Sequence, residues 1–349
     1  MMTTILPTNS LEWIKSESKE AVELAVIINS FNRLELLRES LSSVVQALNL
    51  TFPRQSAVVI FDAGSTDGSI DFVKDFATTC ATHTEAPSII CLCPPENTDR
   101  SFSAGCNVAI HTAAQKFPQL KWCLLFETDN FISNPKALYL AVKLLEQEKQ
   151  LAAVGFTLEG AAFCSRFARP LAFAIGQQLS HRLGLERMEI NHWYPFAESR
   201  WGLSEVVYTS PLLIRYTAWK ETEGMDATRF PFSGSDHDWC WIAHEKRWKV
   251  GVLDVTGVVH DNKTMQSAWS ANRVIDFHRS RLRLLIKHRG TWVAILKPLL
   301  FSRHCLEILL LIFISLYSER ANKSLNQRFF LVKTLLNNYE YTIRYKRFL

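Results

Sequence analysis

No two of the eight cysteines stand as a CxxC pair, which excludes a zinc ribbon or a thioredoxin-type site. The N-terminal MMTTILPTNSLEWIKSESKE has no basic region followed by an apolar stretch, so a secretory signal is not expected. The first apolar run, ELAVIINSFNR, contains no glycine, so the GxGxxG turn of nicotinamide-dependent oxidoreductases is missing. The most apolar run, CLEILLLIFISLY (305–317), has 13 residues with Glu307 among them, whereas a membrane crossing needs about 20. Extending it back to Trp292 brings in Lys297, Pro298, Arg303 and His304. No internal repeat or low-complexity segment is found.

What is present is apolar bulk and an uneven charge. Of 349 residues, 48% are apolar, room for one large α/β domain with an appendage or for two domains. Several of Cys80, Cys91, Cys93, Cys106, Cys123, Cys164, Cys240 and Cys305 lie inside apolar runs, where cysteine acts as a small hydrophobe. Free thiols in a reducing compartment are expected. The net charge of +5 hides an asymmetry. From Lys263 onward there are 16 Lys+Arg against 4 Asp+Glu, a net of +12, which leaves 23 against 30 before it, a net of −7. The basic residues of this tail alternate with long aliphatic stretches, which suits an anionic membrane surface better than nucleic acid. The expected organisation is a polar leader over 1–22, an α/β domain over 23–262 and a basic amphipathic helical tail over 263–349.

Apolar runs alternate with helical spacing. Strands are expected at 23–31, 57–62, 89–94 and 121–127. Helices are expected at 33–48, 70–77 and 103–117, the first marked by leucines at 34, 37, 41 and 48. The pattern predicts a mixed, mostly parallel sheet covered by helices. Ligands then bind at the C-terminal strand ends, where Asn29, Ser30, Asp62, Glu127, Thr128 and Asp129 fall. Residues 151–232 read as loops with an acceptor-facing surface and a further strand near SEVVYTSPLLI. A glycine-containing turn leads into a helix within 231–248, and 249–260 reads as a strand pair. Tryptophans between 193 and 248 either stack on sugar faces or fill the core.

The stretch WCLLFETDNFISNP ends an apolar strand on two acids, Glu127 and Asp129. Like charges that close raise one another's pKa unless a cation sits between them. A helix cap by Asp129 or Asn130 explains one acid, not both. The motifs AVIINSFNR, VVIFDAGSTDGS, SAGCNVAI, FETDN, GMDATRFPFSGSDHDWC and GVVH follow in this order. Over about residues 23 to 290 the chain resembles family 2 glycosyltransferases of the GT-A (Rossmann-like) fold.

The resemblance implies a single-sugar, inverting transfer from a nucleotide-diphosphate sugar to a lipid-linked or cell-envelope glycan. The processive QxxRW motif is absent. Glu127 and Asp129 match the family's DxD position and, with His260, would hold Mg²⁺ or Mn²⁺. Asn29, Ser30, Asp62, Asn107 and Thr128 would line the nucleotide-sugar pocket. Asp236 would be the catalytic base, although Ser235 and Asp238 also read as a capping box. Likewise Ser65 or Thr66 reads as an N-cap in the turn after Asp62. His278, Arg279, Arg281 and Arg283 read as a basic face. Such an enzyme would be cytoplasmic, peripheral on the inner face of the membrane. Three departures, Ala63, Ile242 and Glu127 itself, support the competing reading of a non-catalytic nucleotide-sugar binding or scaffold protein.

Overall fold

The computed structural model describes residues 9–14, 21–158, 161–162, 164–165, 190, 192–209, 211–260, 271–288, 290 and 293–336. The chain divides into two compact units: Met1–Arg166 with Met188–Thr264, and Phe167–Arg187 with Met265–Leu349.

The first unit is built on one large sheet. Its early strands are β1 (Asn9–Trp13), β2 (Leu24–Ser30), β3 (Ser56–Asp62), β4 (Ser88–Cys93) and β5 (Trp122–Leu125). Later come β6 (Asn130–Ile132), β7 (Leu151–Leu158), β8 (Ala161–Ala162), β9 (Cys164–Ser165), β10 (Tyr194–Phe196), β11 (Ser199–Ser204), β12 (Val206–Val207), β13 (Leu212–Arg215), β14 (Lys249–Asp254) and β15 (Val258–His260). The order across the sheet is β1-β4-β3-β2-β5-β13-β7-β14-β11-β10. Strands β2 to β5 pair in parallel, as do β7 and β14. Strands β1, β13 and β11 run against their neighbours. The expected mixed, mostly parallel sheet is therefore present.

Every residue of β3 is buried and only Asn29 of β2 is partly exposed, as a strand covered on both faces requires. One face packs on α1 (Leu34–Thr51) and α4 (Lys136–Gln147), whose leucines and valines join Val26, Ile28, Val58 and Leu124 in one core. Helix α2 (Ser69–Ala81) adds Val73 and Ala77 to the same core. Helix α3 (Phe102–Lys116) lies against β2 and β3 through Gly105. The short α5 (Tyr216–Glu221) and α6 (Ser235–Glu245) complete the unit. Trp201, Trp219, Trp239 and Trp241 are buried, so these four fill the core.

Four expectations need correction. The span read as a polar leader contains β1, an edge strand antiparallel to β4. The span read as loops opens with β7, buried along its length except at Leu158. The two strands of 249–260 do not pair with each other: β14 joins the main sheet and β15 pairs with β6. Arg281 is buried rather than part of an exposed basic face. The side chain of His278, the whole of Asp261 and residues 166–189 of the expected acceptor-facing stretch lie outside the described residues.

The second unit contains α7 (Ala271–His288), α8 (Val293–Ser315) and α9 (Glu319–Leu336). Among the described residues no helix is long and apolar enough to cross a membrane.

A test of the α3–sheet contact is Gly105→Ala. A Cβ there would stand 2.0 Å from Asn29 Oδ1 and 2.7 Å from Phe61 Cδ1. Overpacking of this kind costs roughly 1–3 kcal/mol. Urea unfolding should show that loss, with the slope of the transition unchanged.

Candidate active site at the C-terminal edge of the sheet

Parallel pairing brings the ends of β2, β3 and β5 to one edge, with Ser30 directly opposite Asp62. The Ala63 N–H donates to Ser30 O (2.8 Å), so the loop after β3 is tied to the end of β2. Asp62 is 1% exposed. Its Oδ1 accepts from the N–H groups of Gly64 (2.9 Å) and Ser65 (2.6 Å). The carboxylate thus shapes the loop, with Gly64 at φ +95° where a side chain would be strained.

Asn29 and Ser30 are successive in a strand and so face opposite sides of the sheet. Asn29 faces α3, where its Nδ2 donates to Cys106 Sγ (3.2 Å). Asn29 Oδ1 and Ser30 Oγ are both buried with no hydrogen-bond partner.

The capping alternatives resolve differently from expectation. Residues 127–130 form a turn, with Asn130 N–H donating to Glu127 O (3.0 Å), and β6 starts at Asn130. Neither Asp129 nor Asn130 caps α4. Asn134 does the local work, its Oδ1 accepting from Lys136 N–H (3.2 Å). Helix α2 begins after Gly68 and α6 after Gly234, both left-handed and without a side-chain cap. Ser235 is therefore the first helical residue, not the cap of a capping box. Near α2 the acid that matters is Asp67, which accepts from Ser69 and from Leu34 N–H at the start of α1. Its carboxyl is held below the ordinary value chiefly by the Ser69 hydroxyl.

Asp129 is the centre of the site. It is 5% exposed, and its Oδ1 is buried without a hydrogen bond. Arg33 Nη1 stands 3.7 Å from Oδ2, and His260 Nδ1 stands 3.5 Å from Oδ1. The β15–β6 pairing puts His260 opposite Asn130. His260 Nδ1 lies 2.8 Å from Asn130 Oδ1. A side-chain carbonyl oxygen only accepts, so Nδ1 donates here and Nε2 is the ring nitrogen left to ligate. Thr128, 3% exposed, is buried beside this pair, and Glu127 is half-buried. The structure brings Asp129 and His260 together. Among the described residues no three His, Cys, Asp or Glu side chains converge.

Two arginines escaped the sequence reading. Arg33 is the first, and its only signal was a cation immediately after the first strand. Arg100 is the second. Its Nη2 donates to Pro94 O (2.9 Å), and its Nη1 lies 2.5 Å from where a Cβ on Gly64 would stand. The missing side chain at Gly64 admits the guanidinium beside Ala63.

Asn107 is placed by a different logic from the one expected. Its Nδ2 donates to Met225 O (2.8 Å), and its Oδ1 accepts from Met225 N–H (2.9 Å). Nearby, Ser103 N–H donates to Pro231 O (3.0 Å) and its hydroxyl to Phe230 O. Trp239 Nε1–H donates to Thr222 Oγ1 (2.8 Å). These bonds pin the 222–231 segment to α3 on one side and α6 on the other. They fix the first turn of α6, which carries Asp236. Asp236 is half-buried, and its Oδ1 accepts from His237 N–H (2.8 Å).

Residues 25–193 match the model of a family described as Glycosyl transferase family 2. Over these residues the chain is similar to glycosyl transferase family 2. Solved structures of similar fold include GalNAc-T7 with UDP, GalNAc and Mn²⁺: 11% identity, 68% of this chain and 44% of that chain, TM-score 0.50. A mannosyltransferase from Pyrobaculum calidifontis, solved with GDP-Man and Mn²⁺, is 14% identical over 93% of this chain and 89% of that one, TM-score 0.49. TarS 1-349 of S. aureus with UDP-GlcNAc is 14% identical over 91% and 92%, TM-score 0.46. No curated protein gives a significant sequence match. The glycosyltransferase domain has the GT-A fold.

For this domain, Asn107→Ala removes both hydrogen bonds to Met225. Each such bond contributes about 1 kcal/mol, so unfolding stability should fall by roughly 2 kcal/mol. Asn107→Asp, which sets a carboxylate oxygen against the Met225 carbonyl that Nδ2 now donates to, should fall at least as far.

Proposed function

We propose that the chain is an inverting glycosyltransferase. It moves one sugar from a nucleotide-diphosphate sugar to a lipid-linked or cell-envelope glycan at the cytoplasmic face of a membrane. The observation that carries this is the Asp129 carboxylate, buried at the sheet edge with an unbonded Oδ1 between Arg33 and His260.

A buried anion without a full set of partners is costly. The Asp129 carboxylate is a hard oxygen donor that fits Mg²⁺ or Mn²⁺, which take one or two carboxylates and complete their shell with phosphate oxygens and water; His260 would join through Nε2, because its Nδ1 is engaged by Asn130 Oδ1. Bound there, such an ion neutralises the charge that develops on the departing diphosphate. Two converged protein groups are enough for this, and Glu127 is close enough in sequence to join through the turn. Arg33, one-third exposed, would turn to the same phosphates once Asp129 has another cation.

The rest of the donor fits the loops already described. The Asp62 turn, with Ser30 beneath it and Arg100 beside Ala63, forms the nucleoside side. Asp236 takes the acceptor hydroxyl's proton as its oxygen bonds to the anomeric carbon. The bond from that carbon to the diphosphate oxygen breaks on the opposite face, and the nucleoside diphosphate leaves. A single carboxylate in this role resembles the base of inverting glycosidases. Mutual transfer of Asn107 and Ser103 bonds to 222–231 keeps that base in register with the donor loops.

The test is release of nucleoside diphosphate from UDP-, GDP- and dTDP-sugars with purified membranes as acceptor source. Asp129→Asn and Asp236→Asn should each lower turnover at least 100-fold, the usual weight of a positioned base, with melting temperatures near wild type. Chelation should abolish turnover and Mn²⁺ restore it. Wild-type rates in both variants would contradict the proposal. Donor binding without any turnover would support the non-catalytic reading instead.

A further inference from the structure

Helix α8 carries an apolar face that no other described residue of its own unit covers. Ile295 (63% exposed), Leu299 (41%), Leu306 (62%), Leu309 (57%) and Phe313 (69%) recur at helical spacing. At about 1.5 Å per residue, Ile295 to Phe313 spans about 27 Å. The opposite side of the helix, His304 and Ile308, is buried. Monomeric soluble proteins rarely leave so long an apolar face open.

The face is held outward by an ion cluster. Glu307 pairs with Arg303 and His304 of α8 and with Arg328 of α9. Half-burial pushes the Glu307 carboxyl up. The His304 hydrogen bond with Arg328 and Arg303 outweighs it and sets the group at about 2. The carboxylate therefore stays ionised at any physiological pH, and α8 is locked to α9 by the side that bears its charges. No acid lies on the exposed face.

We propose that α8 is an in-plane membrane-docking helix, laying its Ile295–Phe313 face into the acyl boundary of an anionic phospholipid bilayer. Charge complementarity selects this occupant. The chain from Lys263 onward carries a net of +12, which draws it to anionic headgroups and repels a second copy of the same unit. Shape agrees. Near the end of α8 the exposed residues widen to Leu309, Leu310, Ile312, Phe313 and Ile314, much broader than the two-position seam of a paired coil. Exposed Phe329 and Phe330 of α9 extend the apolar surface, with exposed Lys323 and Lys333 on the same helix. Lys297, Pro298, Arg303 and Glu307 interrupt α8, so lying in the interface is the geometry open to it. The inference deepens the proposal of a membrane-presented acceptor and rests on it only for the acceptor's location.

Flotation of the full-length chain with vesicles tests it. The chain should float with phosphatidylcholine vesicles containing one-quarter phosphatidylglycerol, and at least tenfold less with phosphatidylcholine alone. Leu306→Glu with Phe313→Glu, both at exposed positions, should lower flotation at least tenfold at an unchanged melting temperature. Equal flotation of variant and wild type would overturn the proposal. So would a wild-type dimer that fails to float and that the same pair of changes splits into monomers. The donor-induced rise in melting temperature is measured without vesicles. Its absence alongside intact flotation would count against the glycosyltransferase proposal and leave membrane docking supported.

Discussion

Everything at the sheet edge turns on one buried carboxylate. Asp129 sits where a parallel sheet releases its strands, and it is nearly closed off from water. Moving an isolated carboxylate into such surroundings costs several kcal/mol even after relaxation, so some cation or donor must answer it. The free protein answers with Arg33 at 3.7 Å and His260 at 3.5 Å, both longer than a good hydrogen bond. The arrangement holds the charge without saturating it. That is the condition for a site whose ligand brings its own cation and its own phosphates.

The fold supplies this arrangement through two devices. Parallel pairing of β2, β3 and β5 gathers the polar strand ends. The small β6–β15 pair, outside the main sheet, swings His260 over the turn at 127–130. The same economy applies to the proposed base. Asn107, Ser103 and Trp239 spend their hydrogen bonds on the 222–231 segment, and the position of Asp236 follows from them. Removal of any one would blur the site without touching a reacting atom.

Much of this was legible in the sequence, for definite reasons. LAVIINS and SAVVIFD are continuous apolar runs of strand length, and strands buried on both faces must look so. Their polar ends, Ser30, Asp62 and Asp129, stand where a parallel sheet puts ligands. The family resemblance then gave the roles to test. Other features were hidden. LAAVGFTL is fully strand yet shows no apolar–polar alternation, and its Ala and Gly lower the strand signal, so periodicity gave no sign of it. NSLEW pairs as an edge strand whose Ser10 and Glu12 are exposed. The contact of His260 with Asn130 joins residues 130 apart, which no local pattern encodes. Arg33 reads simply as the start of a helix until its reach to Asp129 is seen. Gly234, not Ser235, stands at the N-cap of α6 because a left-handed residue can end the preceding turn without any side-chain oxygen.

The most direct measurement is anomalous scattering from crystals grown with Mn²⁺ and a nucleoside diphosphate. A manganese peak within about 2.5 Å of Asp129 Oδ1, the reach of a hard cation to oxygen, with Arg33 turned toward the diphosphate, is what this account predicts. A bound diphosphate with no metal at Asp129 and Arg33 still against its carboxylate would contradict it.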